Sequence, residues 1–299
     1  MNILLLTTHL NSGGITSYLL TLTKGLIERG HSVSIASSGG NTEADFRRLK
    51  ANLLTLNIRT KSELSPKIYW ALSPLKRFAE ENKIDVIHAQ TRVTQVIGYW
   101  LKRLTKKMLV ATCHGFFRPR FFRRIFSCWG DRTIAISEQV QEHLIKDFHV
   151  SLERIALVNS GVDTDAYKPA SSAERSAIRK KYNFKDNDPL VGMIARLSDV
   201  KGQDILIQAM PKIIAALPSI KLLLVGEGKM EAKLKSLVAN LDLGNSVQFL
   251  PIVNQTQEIL SMLDVFVNPS RQEGLGLSIM EAQSSGLPVV ASMLEAFQR

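Results

Sequence analysis

The 299-residue chain is informative first for what it has little of. It holds only two cysteines, Cys113 and Cys128, in unrelated contexts with no CxxC pair and no His-rich partner, which excludes a disulfide framework and a zinc site and points to a reducing, cytosolic compartment. No apolar run approaches the roughly 18 residues that a spanning helix needs. The opening Met1-Asn2-Ile3-Leu4-Leu5-Leu6 lacks a cationic flank and runs at once into Asn11-Ser12-Gly13-Gly14, a strand followed by a turn rather than a signal peptide. Aromatics make up 7% and charged residues 22% of the chain against 45% hydrophobic, which rules out disorder. Acidic residues are missing altogether between Val86 and Gly130, where Arg92, Lys102, Arg103, Lys106, Lys107, Arg118, Arg120, Arg123 and Arg124 fall. Ser12-Gly13-Gly14 is not the GxGxxG fingerprint, which argues against a dinucleotide enzyme.

What is present is a strand–helix rhythm that runs twice. Non-alternating Val/Ile/Leu runs at 2–7, 32–36, 84–89, 108–112, 133–136 and 155–158, with a helix at 15–29 closed by Gly30, read as strands buried on both faces of a parallel sheet. The pattern breaks near Gly161-Val162-Asp163-Thr164-Asp165 and Pro169, passes a polar helix-and-loop segment at 170–188, and restarts. Strands are expected at 190–194, 220–225, 247–250, 265–268 and 288–291, and helices at 203–216, 230–239, 258–263 and 276–285. The fold class is α/β, two tandem doubly wound Rossmann-like domains, 1–168 and 169–299, with ligands expected beyond the carboxyl ends of the strands and in the cleft between the domains. Charge divides unevenly: 24 of the 38 Lys/Arg and 14 of the 27 Asp/Glu lie in the first domain.

The most specific chemistry lies in the second domain. Asn268-Pro269-Ser270-Arg271-Gln272-Glu273-Gly274-Leu275-Gly276-Leu277-Ser278-Ile279-Met280-Glu281 empties a strand into a glycine turn that opens a helix. The amides of Gly274, Leu275, Gly276 and Leu277 and the helix dipole suit a phosphate. Glu273 stays on the loop while Glu281 lies inside the helix, so the carboxylates address different parts of one ligand. Arg196 and Lys201, on the loop after strand 190–194, form a two-cation clamp for a diphosphate. Taken singly, each of these charges reads as an ordinary surface or helix-start residue; their shared domain favours the ligand reading. Gly226, in the Gly226-Glu227-Gly228 turn, allows close approach of a nucleoside. In the first domain Gly13 and Gly14 make a tight turn for phosphate or sugar, and His114 ends a strand at the same edge.

These residues resemble the retaining glycosyltransferases of GT-B type, in the family described as glycosyl transferases group 1. The likeness rests on E-x7-E at Glu273 to Glu281, on Ala195-Arg196-Leu197-Ser198-Asp199-Val200-Lys201-Gly202 for G-R-L-x-x-x-K-G, and on Asn159-Ser160-Gly161-Val162-Asp163 for N-G-V-D. It implies metal-independent transfer of a sugar from a nucleoside diphosphate sugar, with retention, and no cofactor beyond that substrate. Arg196 and Lys201 would neutralise the leaving diphosphate, Glu273 hold sugar hydroxyls, Glu281 the ribose, Gly14 lie under the diphosphate and His114 near the reacting sugar. No protein nucleophile is implied. Ala195, Ser160 and Pro251 depart from the family pattern without removing a charge. After Gly286-Leu287-Pro288-Val289-Val290-Ala291 the family continues, so the second domain is read as truncated.

The basic, aromatic Phe116-Phe117-Arg118-Pro119-Arg120-Phe121-Phe122-Arg123-Arg124 suits an anionic bilayer, which makes a lipid-linked or envelope-glycan acceptor and a peripheral place on the inner face of the membrane the expectation. No nucleic-acid module accompanies the charge. A sugar-nucleotide epimerase of similar layout and a non-catalytic nucleotide-sugar binder stand as the alternatives.

Overall fold

The computed structural model describes residues 1–60, 62–119, 123 and 126–293. Arg120, Phe121, Phe122 and Arg124 of the basic aromatic segment, and 294–299, lie outside the described residues. The chain divides into two compact units, Met1–Gly161 and Val162–Arg299. The segment just after Gly161 goes with the second unit. Tyr167 anchors it there, its hydroxyl 2.8 Å from Thr256 Oγ1 and its carbonyl accepting from Ser284 Oγ at 2.5 Å.

In the first unit the strands are β1 (Asn2–Leu6), β2 (Ser32–Ser37), β3 (Asn52–Thr55), β4 (Val86–Ala89), β5 (Met108–Cys113), β6 (Arg132–Ala135) and β7 (Ile155–Leu157). Each pair among them is parallel, in the order β3-β2-β1-β4-β5-β6-β7. The crossovers carry α1 (Gly14–Glu28), α2 (Glu43–Arg48), α3 (Pro66–Trp70), α4 (Leu72–Glu81), α5 (Arg92–Thr105) and α6 (Glu138–Phe148). Leu4, Leu5 and Leu6 of β1 are all fully buried, as a central strand covered on both faces requires. The apolar run at 84–89 spends its first two residues outside the ladder: Ile84 N bonds Ala79 O at 2.9 Å to close α4, and Asp85 accepts from Asn2 N at 2.8 Å.

The second unit follows the same plan with β8 (Leu190–Ile194), β9 (Lys221–Val225), β10 (Val247–Leu250), β11 (Val265–Asn268) and β12 (Val289–Ala291), ordered β10-β9-β8-β11-β12 and parallel throughout. Its helices are α7 (Ser172–Lys181), α8 (Gln203–Ala216), α9 (Glu231–Asn240), α10 (Thr256–Met262) and α11 (Leu277–Ser284). Helix α7 is opened by a reciprocal Ser171–Glu174 capping box, and α8 runs on past Pro211. One buried guanidinium organises the edge of the sheet where the strands begin. Arg179, 1% exposed, donates to the carbonyls of Met262, Lys185, Asp186 and Asp188 and to Asp264 Oδ2 at 2.8 Å. Burial pushes the Asp264 carboxyl up, but the Leu190 amide and the Arg179 and Arg175 guanidiniums outweigh it and hold the group below the usual carboxylate range.

Both units are therefore doubly wound α/β domains, as the paired rhythm implied. Each sheet reverses its strand order once, between β1 and β4 and between β8 and β11, and the carboxyl ends of those strands are where this architecture places ligands.

Candidate functional site

In the second unit the loops leaving β8 and β11 meet at the reversal point. Gly202, with φ +73°, lies so close to Pro269 that a Cβ on it would stand 2.0 Å from the Pro269 carbonyl oxygen. Arg271 N donates to Val200 O at 2.8 Å, and the Arg271 guanidinium grips Asp204 through two bonds of 2.8 and 2.7 Å while also reaching Asp199 O. These ties bring the sequence-predicted pair together. Lys201 Nζ donates to Glu273 Oε1 at 2.5 Å, with the Glu273 side chain 9% exposed. Ser270 Oγ and Asn268 Nδ2 stand 2.9 and 3.4 Å from the same oxygen. All three contacts fall on Oε1, which leaves Oε2 available to an incoming hydroxyl. The ammonium has three protons, and Glu273 takes one.

Arg196 is exposed on the same loop and makes no ion pair among the described residues. Its carbonyl accepts from the buried Gln203 side chain at 3.0 Å, which fixes the backbone below the guanidinium. Helix α11 is capped by Gly276 in the left-handed region (φ 74°, ψ 51°) and opens with Leu277. Leu275 and Gly274 lie on the approach, and the first turn of a helix leaves its amides without intrahelical partners. Glu281 lies one turn further in and is 6% exposed, so it is no solvated helix charge. Gly226, with φ +145°, has a role in the chain itself: a Cβ there would be 2.1 Å from Ala195 O. That turn packs backbone on backbone against the end of β8, with Leu197 N bonding Glu227 O at 3.0 Å.

In the first unit the corresponding edge carries two glycines with room around them. Gly13 caps α1 and Gly14 begins it, and a Cβ on either would meet nothing within 4 Å. His114, just past β5, is half-buried; its Nε2 lies 2.9 Å from Gln90 Oε1 and the Tyr18 ring packs edge-on with centroids 4.8 Å apart. Burial, with help from His88, pushes the His114 pKa down to about 3. His88, wholly buried, is 2.7 Å from Thr112 Oγ1 and burial takes it to about 4. Gln90 was not among the residues the sequence motifs singled out, since a lone glutamine at a strand end carries no signal.

The acid-free stretch from Val86 to Gly130 is less uniformly outward-facing than its composition suggests. Arg92 is held inside by Glu63 and the carbonyls of Phe126 and Ser127, and Lys102 pairs with Asp131. Arg123 stacks on Phe117 with the guanidinium 5.2 Å from the ring centre. Among the described residues no helix is long and apolar enough to cross a membrane.

Comparison with known proteins matches the chain to two family models. Residues 12–166 match glycosyltransferase family 4 and residues 174–298 match glycosyl transferases group 1. Among curated relatives, a GDP-mannose-dependent monoacylated alpha-(1-6)-phosphatidylinositol monomannoside mannosyltransferase of Corynebacterium glutamicum is 41% identical over 141 residues, 44% of this chain and 36% of its own length. A UDP-Gal:alpha-D-GlcNAc-diphosphoundecaprenol alpha-1,3-galactosyltransferase of Escherichia coli is 29% identical over 238 residues, 74% of this chain and 61% of its own length. The chain thus spans less than two thirds of either relative. Anabaena Alr3699/HepE, solved in complex with UDP and glucose, superposes with a TM-score of 0.81 at 23% identity, covering 97% of this chain and 80% of that one, a likeness of fold.

Proposed function

Because the chain belongs to glycosyltransferase family 4, we propose that it transfers a sugar, with retention, from a nucleoside diphosphate sugar to an acceptor hydroxyl. The observation that carries the reading is the Lys201–Glu273 pair at the strand-order reversal, with Arg196 exposed on the loop that carries Lys201. In the transfer the bond from the anomeric carbon to the diphosphate oxygen breaks, the acceptor oxygen bonds that carbon, and the acceptor proton passes to a diphosphate oxygen. Negative charge grows on the diphosphate as the bond breaks. Arg196 and the two remaining protons of Lys201 are the groups to meet it, with the α11 amides adding a fixed dipole. These cations let the departure proceed without a resident metal. Glu273, held through Oε1, offers Oε2 to a sugar hydroxyl; buried Glu281 takes the ribose; Gly14 lies under the diphosphate and His114 beside the sugar. Positioning and charge stabilisation supply the rate.

The acceptor is proposed to be lipid-linked or an envelope glycan, reached at the cytoplasmic face of an anionic membrane. Support comes from the surplus of cations in the first unit and from the phosphatidylinositol and diphosphoundecaprenol acceptors in the relatives' names. The test is a panel of UDP-, GDP- and ADP-sugars assayed for binding and for transfer. Lys201→Ala should weaken donor binding roughly 10–100-fold, the loss of a charge-assisted contact, and Glu273→Gln should cut turnover more than binding. A panel on which no nucleotide sugar binds, or on which Lys201→Ala binds as well as the parent, sinks the proposal. Isomerised nucleotide sugar appearing without acceptor would favour an epimerase instead.

A further inference from the structure

His114 is held by a side chain whose position the sheet itself sets. Gln90 follows β4 directly, and its backbone amide donates to Leu6 O at 3.0 Å, which fixes it at the reversal point between β1 and β4. The carboxamide is buried, with the residue 2% exposed; Oε1 lies 2.9 Å from His114 Nε2, and Nε2 of the amide has no partner among the described residues. Tyr18 from α1 closes another side of the imidazole, and its hydroxyl is 3.5 Å from Thr112 Oγ1, the atom that His88 Nε2 contacts. A carboxamide oxygen only accepts. Facing it, His114 Nε2 carries the ring proton and Nδ1 carries a lone pair. The reversed amide would place its NH2 group against Nε2 and drive the proton to Nδ1, so the direction of the carboxamide sets the tautomer.

We propose that Gln90 is a positioning residue for His114: its carboxamide oxygen fixes the ring and keeps the proton on Nε2, so that Nδ1 offers a lone pair to a ligand hydroxyl. The proposal rests on the sugar-transfer reading for its ligand, and on the geometry alone for the tautomer. A hydroxyl that donates to Nδ1 is held by its hydrogen, with its oxygen left free for a second bond. The titratable groups around the ring are Tyr18 from α1, His88 from β4 and Cys113 from β5. Burial raises both Tyr18 and Cys113, so neither supplies a negative charge that would favour imidazolium at neutral pH.

Nitrogen-resolved NMR of the histidine rings in the whole chain tests this, with His114→Asn used to assign the signal. The parent should show protonated Nε2 and bare Nδ1. Gln90→Leu should lose that bias, and kcat should fall about tenfold with the donor KM within about twofold, the scale on which outer-shell partners of a functional histidine act. Gln90→Glu keeps the acceptor and so the tautomer, but its carboxylate should raise the His114 pKa by more than about one unit and give the rate profile an acid-side decline that the parent lacks. A purely structural glutamine would change stability and leave tautomer and profile alone. Protonated Nδ1 in the parent, or an unchanged tautomer in Gln90→Leu, overturns the proposal. Should Gln90→Leu not fold, the parent spectrum and Gln90→Glu still decide it. If the tautomer behaves as expected while no nucleotide sugar is turned over, the transfer reading fails and the clamp stands.

Discussion

The two sheets reverse their strand order in the same way, yet the glycines that open the loops there meet different surroundings. In the second unit the glycines are required by the chain's own backbone: Gly202 against Pro269, Gly226 against Ala195 and Gly228 against Leu197, each with a would-be Cβ within 2.1 Å of a carbonyl oxygen. The loops they join are stitched by ion pairs. In the first unit Gly13, Gly14 and Gly115 face open space, and burial keeps the nearby His88 and His114 neutral. Gly40 of the first unit does pack on backbone, a Cβ there standing 2.3 Å from Leu10 O, so the contrast is one of Gly13, Gly14 and Gly115 against Gly202, Gly226 and Gly228.

The sharpest way to break the comparison is to add one methyl group to each half. Gly202→Ala should destabilise the second unit by about 3 kcal/mol, since both a left-handed backbone and a backbone collision are involved. Calorimetric melting checks this, and an unshifted transition would mean that the loops are not stitched as described. Acid should separate the units next. His88 falls from 6.5 to about 4 on folding because burial disfavours its charged form, so the unfolded chain binds the extra proton. Its contribution is complete above pH 6.5 and is lost as pH falls toward 4, about 3 kcal/mol in all. The depressed Asp264 of the second unit keeps its contribution through that window and loses it only below the ordinary carboxylate pKa. Unfolding followed between pH 7 and 4 should therefore weaken the first unit first; equal weakening of both would remove the distinction. The smallest effect on stability belongs to Gly14→Ala, which meets no atom and should stabilise α1 by about 0.5 kcal/mol through the unfolded state. Sugar transfer should nevertheless fall roughly 10–100-fold if the open space is where a ligand sits. Unchanged turnover would leave the vacancy without a use.

Much of the second unit was legible because its strands are apolar runs bounded by turn residues. The expected 190–194, 247–250 and 265–268 coincide with β8, β10 and β11, and the helix at 203–216 with α8. Asn52-Leu53-Leu54-Thr55 gave no such signal: it is a short edge strand with both ends exposed, so periodicity had little to act on. The charged groups of the site were visible as residue types at strand ends. Their pairing was not, because it depends on β11 lying beside β8 with β9 and β10 displaced to the other side. Gly226 shows the converse limit, since sequence cannot distinguish a glycine that admits a ligand from one that admits a neighbouring carbonyl. Gln90 escaped for a third reason: the value of a carboxamide lies in the proton it places on another residue's ring.

The partnership of Lys201 with Glu273 spans 72 residues of chain. At translation speeds of about 5–20 residues per second, the ammonium leaves the ribosome some 4–14 seconds before the carboxylate that will hold it. Through that interval the Arg196–Lys201 loop is a bare cationic segment, and Gly202 has no Pro269 to rest against. The joined loops are thus a late product of biosynthesis, completed only when β11 has been made.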